Sequence, residues 1–252
     1  MEFIDNLNNL IEEEKVLGIK SIDKLKSLGH NFDVVYLPNF MPTKKVDYFF
    51  VAMEPSFGKW GTVDNANKLI SKGFRNFIFS KGDYLLHFAI NKYLTSNYHI
   101  TDVSKSAMNI DSANVVRKVM YNFWRPHLKK EFETLKTDSA KIISIGDKPE
   151  IELQRIFPNS DIHKIIHFSG AAQKARKEFV EKHNDEFQLF AASFIKEEVQ
   201  IFSQELFNSK IEDNEVKSFI QKHSFKRLVD IKESDLKLLF NYKMNFEKII
   251  KN

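Results

Sequence analysis

Short apolar runs and helically spaced apolar residues alternate along the first two thirds of the chain. The runs predict four buried strands, at residues 47–53, 98–103, 141–145 and 162–168. Each run ends in polar residues, and the segments between them show apolar residues at helical spacing. Such a succession requires parallel crossovers. The pattern therefore predicts an α/β protein, a three-layer α/β/α sandwich with a central, mostly parallel four-stranded sheet.

Helical patterns predominate at both ends of the chain. At the N-terminus, the spacing of apolar residues over residues 2–28 predicts two short helices, with Gly18 as the break between them. Near the C-terminus the alternation stops, and three segments are predicted to be helical, at residues 187–207, 215–223 and 233–251. We expect one α/β domain over residues 1–184 and a helical extension or cap over residues 185–252.

Composition narrows the class of protein without identifying its chemistry. With 252 residues, of which 42% are hydrophobic, the chain can bury a core of its own. The absence of cysteine excludes disulfides and thiolate metal sites, and we expect no metal and no cofactor. The first residues are unlike a signal peptide, and no apolar run reaches the ~20 residues that span a bilayer. We therefore expect a cytoplasmic protein with no membrane partner, and favour a monomer. The net charge of +4 is compatible with a polyanionic partner.

Ionisable side chains follow the predicted strands where each strand ends. Glu54, Asp102, Asp147 and His167 occupy these positions. The carboxyl ends of parallel strands share one edge of a sheet, which is where open α/β sheets carry their chemistry. Other roles remain open at each position. Glu54 can form a salt bridge with a nearby helix, Asp102 can pair with Lys105 or cap a helix, and Asp147 is expected to cap the next helix.

Three short motifs at these strand ends carry a family resemblance. They are Ala-Met-Glu-Pro-Ser at residues 52–56, Thr-Asp-Val-Ser-Lys at residues 101–105 and His-Phe-Ser-Gly at residues 167–170. In type and order they are similar to the motifs Gly-Gln-Asp-Pro-Tyr, Thr-Asn-x-x-Lys and His-Pro-Ser of the uracil-DNA glycosylase superfamily. The chain resembles that superfamily over about residues 33–183. It departs from it in having Glu54 for the catalytic aspartate, Asp102 for the asparagine, and no proline after His167.

The resemblance implies a DNA glycosylase that extrudes a base from the helix and hydrolyses its N-glycosidic bond. It assigns catalysis to Glu54 and His167. In such a reaction the Glu54 carboxylate stabilises the sugar as it becomes positively charged and orients the attacking water, and His167 donates to the departing base.

Asp102 is the departure that bears most on the substrate. Asparagine both donates and accepts hydrogen bonds and suits uracil, whereas an ionised aspartate only accepts, which suits the exocyclic amine of cytosine. The sequence therefore predicts a modified cytosine as the base, such as those in some viral DNA, and a role in defence against foreign DNA. The alternatives are a uracil-DNA repair glycosylase, a nucleoside or nucleotide hydrolase, and a non-catalytic nucleic-acid-binding module.

The remaining candidate residues serve base stacking and DNA binding. Phe77, Phe79 and Trp60 are the candidates for stacking on the extruded base; the alternative for the two phenylalanines is core packing, and the loop that carries Trp60 can instead merely close a pocket. Contacts with DNA are assigned to six residues: Ser56, Lys105, Ser169, Gly170, Lys174 and Arg176.

Overall fold

The computed structural model describes residues 2–57, 61–225, 228 and 230–251. Contacts divide the chain into two compact units. The first combines residues 1–76 with 97–164, and the second combines residues 77–96 with 165–252. The predicted boundary after residue 184 falls inside the second unit, because residues 81–93 and 165–184 pack with the C-terminal helices.

The first unit contains a parallel sheet and the helices that cover it. Its elements are α1 (Glu2–Ser27), β1 (Val34–Tyr36), β2 (Val46–Ala52), α2 (Val63–Ser71), β3 (Tyr98–Asp102), β4 (Ser106–Met108), α4 (Ile110–Leu135), β5 (Lys136–Ile145), α5 (Asp147–Ile156) and β6 (Ile162–Ile165). Helix α3 (Lys81–Tyr93) lies between α2 and β3 in the chain and belongs to the second unit. The N-cap of α5 is Gly146, so the prediction that Asp147 caps this helix was wrong.

The central sheet has the strand order β3-β2-β5-β6. β2 runs parallel to both of its neighbours, pairing Ala52 with Asp102 of β3 and Val51 with Ser144 of β5. Phe49 and Phe50 are at most 1% exposed because helices cover both faces of the sheet, which explains the unbroken apolar run in the sequence. The predicted fold class, a four-stranded parallel sheet flanked by helices, is confirmed.

The N-terminal segment forms one helix where two were predicted. α1 continues through Gly18, which is buried against the ring of Tyr36. A Cβ atom at Gly18 would lie 2.3 Å from Cγ of Tyr36, which is closer than any real contact. This glycine therefore permits close packing of α1 on β1 and does not end the helix.

We expect Gly18→Ala to lower the free energy of unfolding by about 1–3 kcal/mol, because the added methyl group overpacks the contact with Tyr36. The sign of this change in stability tests the packing role, because helix propensity alone favours alanine over glycine by about 1 kcal/mol and would stabilise the variant. Urea unfolding measures the change. Gly170→Ala is the control, because a Cβ there meets nothing within 4 Å and should change stability by less than about 0.5 kcal/mol. A stabilised Gly18→Ala variant would contradict the packing role.

Two small features of the first unit were not predicted. β1 and β4 form an antiparallel pair of three-residue strands, too short to give a readable alternation. The polar segment after β2 contains α2, which begins after Thr62, whose side chain accepts a hydrogen bond from the backbone of Asn65.

The second unit is helical. Its elements are α3 (Lys81–Tyr93), a 3₁₀ turn (Gly170–Ala172), α6 (Gln173–Lys182), α7 (Asn184–Ser193), α8 (Lys196–Lys210), α9 (Asn214–Ile220), a π-helical turn (Gln221–Phe225) and α10 (Glu233–Lys251). The segment over residues 187–207, which was predicted to be helical, contains two helices, α7 and α8, separated at residues 194–195. Part of the core consists of Val180, Phe187 and Phe240, so several of the phenylalanines serve packing. None of the helices in the described part of the chain is long and apolar enough to cross a membrane.

Candidate functional site at the carboxyl edge of the sheet

Glu54 lies just beyond the end of β2, and backbone hydrogen bonds fix its position. The amide of Val103 donates to the carbonyl of Ala52, and the amide of Ser104 donates to the carbonyl of Met53. The chain after β2 therefore follows the chain after β3. Glu54 and Asp102 lie at the same edge because Asp102 pairs with Ala52, two residues before Glu54.

The carboxylate of Glu54 is held by two residues of α4. Arg117 donates from Nε and Nη2 to Oε1 at 3.0 and 2.7 Å, and the hydroxyl of Tyr121 donates to Oε2. Nε of Arg117 also lies 3.2 Å from Oε2. The Glu54 side chain is 8% exposed. Glu54 thus forms the salt bridge with a helix that the sequence left open as an alternative to catalysis.

The ionisation states of Arg117 and Tyr121 favour their hydrogen bonds to Glu54. The hydrogen bond to Glu54 raises the pKa of Arg117 against the opposing effect of burial, so Arg117 stays charged. Burial, and then the charge of Glu54, raise the pKa of Tyr121 well above its usual range. The Tyr121 hydroxyl therefore keeps its proton and donates a hydrogen bond to the carboxylate.

Asp102 ends β3 with its side chain buried at 1% exposure. Its Oδ2 accepts hydrogen bonds from the side-chain amides of Asn39 at 3.1 Å and Asn76 at 2.8 Å. Among the described residues, both donors are directed at Oδ2 and none at Oδ1. The carboxyl group thus has one oxygen occupied by the protein.

The ionisation of Asp102 is balanced near neutrality. Burial raises its pKa to about 7, against the charge of Lys105 and the two amide hydrogen bonds, while the charge of Glu54 adds to the rise. Both the neutral and the ionised forms are therefore populated at physiological pH.

We expect the Asp102→Asn variant to become more stable relative to the wild type as the pH rises. The folded state binds the Asp102 proton more tightly than the unfolded chain, so ionisation destabilises the fold between the two pKa values. The difference in unfolding free energy should change by about 2 kcal/mol between about pH 5 and pH 8. Urea unfolding at both pH values measures it. Asp138→Asn, at an exposed position of β5, is the control and should change the unfolding free energy by less than about 0.5 kcal/mol at both pH values. A pH-independent difference for Asp102→Asn would contradict the shifted ionisation.

Lys105 lies inside the first unit, at 1% exposure. Its ammonium donates to Oε1 of Glu131 at 3.2 Å, to Oδ1 of Asn39 at 2.6 Å and to the hydroxyl of Thr101. Oε2 of Glu14 lies 3.9 Å away. The residue to which a DNA contact was assigned is therefore engaged with an interior network in this structure.

The charges of this network stabilise one another. Burial acts to lower the pKa of Lys105, but the charges of Glu131, Glu14 and Asp102 outweigh it, and the net shift is upward. For Glu131, burial acts to raise the pKa, but Lys105 and the hydrogen bond from His99 outweigh it and hold the pKa well below its usual range. Lysine and glutamate are thus both charged in the interior.

Glu14, His127 and Glu131 are the described residues whose types and spacing could hold a metal ion, since one ligand atom from each lies within 4.8 Å of the others. The ammonium of Lys105 lies close to both carboxylates of this cluster. The chain itself thus supplies the positive charge that these carboxylates require, and we assign no metal to the cluster.

His167 belongs to the second unit. Its Nδ1 accepts a hydrogen bond of 2.9 Å from the backbone amide of Ser169, and its ring stacks on Phe168. Because Nδ1 accepts, the neutral ring carries its proton on Nε2, the form required of a donor. Arg176 donates to the carbonyls of Phe168 and Ser169 and is 9% exposed, so it stabilises this turn.

The remaining candidates differ in exposure. Lys174, in α6, has a side chain that is 89% exposed, and Gly170 begins the 3₁₀ turn. Ser56 is exposed and forms an isolated β-bridge with Met108, the last residue of β4. Their roles in DNA binding stay predictions, and Trp60 lies outside the described residues.

The two phenylalanine candidates for base stacking pack within the second unit. Phe77 is 5% exposed and has a φ of 62°, which is uncommon for a bulky residue, and its carbonyl bonds Nε2 of His87. Burial lowers the pKa of His87 to about 4, so the ring is neutral and donates this bond. Phe79 stacks on Phe219, with ring centroids 5.4 Å apart. Both rings have the packing role that the sequence allowed as the alternative.

The sequence analysis did not identify four residues that contact Glu54 or Asp102: Asn39, Asn76, Arg117 and Tyr121. The last two are four positions apart and so share a face of α4, which is a readable signal, but nothing in the sequence connects that face with Glu54.

The chain was compared with known proteins at the level of sequence. Neither a scan against models of protein families nor a search of curated proteins finds a match.

Proposed function

We propose that this chain is a DNA glycosylase that excises a flipped, modified base, a modified cytosine, in defence against foreign DNA. The observation that supports the proposal most is the placement of Glu54 and Asp102 at the ends of adjacent parallel strands, with Ala52 and Asp102 in register. One acid can then serve the sugar and the other the base. The proposed enzyme acts as a monomer in the cytoplasm.

In the proposed reaction Glu54 acts on the sugar and the water. Water adds to the anomeric carbon and loses a proton, the bond from that carbon to the base nitrogen breaks, and the base leaves with the electron pair and takes up a proton, so that one water is added across the N-glycosidic bond. Arg117 and Tyr121 direct four hydrogen bonds at Glu54, two to each oxygen, and a carboxylate has about four lone-pair sites. In the proposal these partners hold the carboxylate still, and the attacking water displaces the longest contact, from Nε of Arg117 to Oε2 at 3.2 Å.

Asp102 recognises the base in this proposal. When ionised, its Oδ1 accepts a hydrogen bond from the exocyclic amine of a cytosine derivative. The O4 atom of uracil, in contrast, would face a buried negative charge, which costs several kcal/mol. The raised pKa of Asp102 means that this discrimination is strongest on the alkaline side of neutrality.

The test uses DNA duplexes that contain a single uracil, cytosine, 5-hydroxymethylcytosine or glycosylated 5-hydroxymethylcytosine. Each duplex is incubated with the protein and then treated with alkali, which cleaves a strand at an abasic site. We expect cleavage only at a modified cytosine. Cleavage at uracil would support the repair alternative instead, and intact strands throughout would contradict the glycosylase.

A second candidate is a non-catalytic nucleic-acid-binding module. The bidentate pairing of Glu54 with Arg117 favours it, since this contact gives the acid a structural role in fastening α4 to the sheet. The module predicts binding to DNA without cleavage of any of the four duplexes. It also predicts that replacing His167 leaves DNA affinity unchanged.

A further inference from the structure

Two side-chain amides from different loops converge on a single oxygen atom of Asp102. Asn39 precedes β2 and Asn76 follows α2, and both donate to Oδ2. The orientation of Asn39 is fixed by chemistry, because its Oδ1 lies 2.6 Å from the ammonium of Lys105, which can only donate. The amide nitrogen of Asn39 must therefore face Asp102.

This arrangement determines where Asp102 can carry a proton. Oδ2 accepts two N–H groups, so its lone pairs are engaged and a proton added to the carboxyl group goes to Oδ1. Oδ1 is therefore an acceptor when Asp102 is ionised and a donor when it is neutral. The exocyclic amine of cytosine matches the first state, and the O4 carbonyl of uracil matches the second.

We propose that Asn39 and Asn76 are positioning residues that determine base specificity, by directing Oδ1 of Asp102 to select an amino-bearing base when ionised and a keto-bearing base when neutral. This inference rests on the proposed function and adds a pH-dependent preference to it. Cytosine derivatives are preferred on the alkaline side of the Asp102 titration, and uracil derivatives on the acidic side.

The charged groups that face Asp102 set the position of this titration. Lys105, from the loop between β3 and β4, favours the ionised form, whereas Glu54, after β2, favours the neutral form. Tyr121 of α4 also interacts with Asp102 and remains protonated, since its own pKa is raised by burial and by Glu54. Near neutrality the pKa of Asp102 makes the two states similarly populated.

The first measurement is a carbon-13 NMR titration of the Asp102 carboxyl group in the wild type and in Asn76→Ala. Loss of one donor to the ionised form should raise the midpoint by about one pH unit. Asn122→Ala, at an exposed asparagine of α4, is the control and should leave the midpoint unchanged. A midpoint that does not move in Asn76→Ala would overturn the inference.

The second measurement is the ratio of excision rates for duplexes that contain 5-hydroxymethylcytosine or 5-hydroxymethyluracil. Other effects of pH on catalysis cancel in this ratio, because the same enzyme acts on both duplexes. The ratio should rise about 100-fold from pH 6 to pH 8 in the wild type, because it follows the ratio of ionised to neutral Asp102, and it should be about tenfold lower at each pH in Asn76→Ala. Excision at a constant ratio would overturn the inference and leave the glycosylase standing. Absence of all excision, with the NMR midpoint shifted as expected, would overturn the glycosylase and base selection with it.

Discussion

Replacing Lys105 by methionine should lower the free energy of unfolding by about 3–5 kcal/mol at neutral pH, because it leaves buried carboxylates without their cation. Glu131 and Glu14 are each at most 1% exposed, so water cannot take the place of the ammonium. Methionine preserves most of the side-chain volume, which separates the loss of charge from the opening of a cavity. Urea unfolding followed by circular dichroism measures the loss.

Lys130→Met is the matched control. Lys130 pairs with Glu13, so it also joins α4 to α1, but both side chains of that pair are about half exposed, at 48% and 49%. An exposed pair contributes at most about 1 kcal/mol. Equal effects of the two substitutions would contradict a special role for the buried lysine.

The effect of Lys105→Met should also depend on pH and on Glu131. The folded-state pKa of Glu131 is depressed, so its contribution to stability is present above its unfolded pKa and is lost as the pH falls through the folded value. Without Lys105 the largest of the charges that depress this pKa is lost, while His99 and His127 still lower it, so the deficit of the variant should shrink towards acidic pH. The double variant Lys105→Met with Glu131→Gln should recover part of the loss, because the uncompensated charge is gone.

The strands of the sheet could be predicted from sequence because burial on both faces leaves an unambiguous pattern. Phe49, Phe50 and Val51 form a continuous apolar run, and the register of parallel strands then brings the residues after each strand to one edge. The placement of Glu54 and Asp102 at the ends of adjacent strands could be predicted for this reason. The prediction that Gly18 ends a helix was wrong because glycine can either break a helix or allow close packing within one. Only the contact with the ring of Tyr36 distinguishes the two roles.

The partners of the two acids could not be predicted, because they come from distant parts of the chain. Arg117 is 63 residues after Glu54, and Asn39 is 63 residues before Asp102. Local spacing encodes only neighbours within an element. Lys105 was assigned to DNA on a motif, since a buried lysine and an exposed one look the same in sequence until the carboxylates around it are known.

Glu54→Gln should reduce base excision by about 10²- to 10⁴-fold while DNA affinity is retained, if Glu54 orients the attacking water as we propose. Glutamine keeps the shape and one acceptor oxygen for Arg117 and Tyr121, but it lacks the second acceptor and the charge. Single-turnover cleavage at saturating enzyme measures the chemical step, and fluorescence anisotropy measures affinity. Glu54→Asp retains a carboxylate and should keep more activity than the glutamine variant.

The control for this prediction is Asp147→Asn, which removes another carboxylate from the carboxyl edge of the same sheet. Its side chain is 84% exposed and pairs with Lys164 at 3.0 Å, so it should leave both excision and stability nearly unchanged. Urea unfolding of Glu54→Gln identifies any loss of fold, because the fraction of folded enzyme can then be used to correct the rate. A folded Glu54→Gln variant that excises the base at the wild-type rate would leave Glu54 with the structural role of fastening α4 through Arg117, and catalysis would have to lie elsewhere.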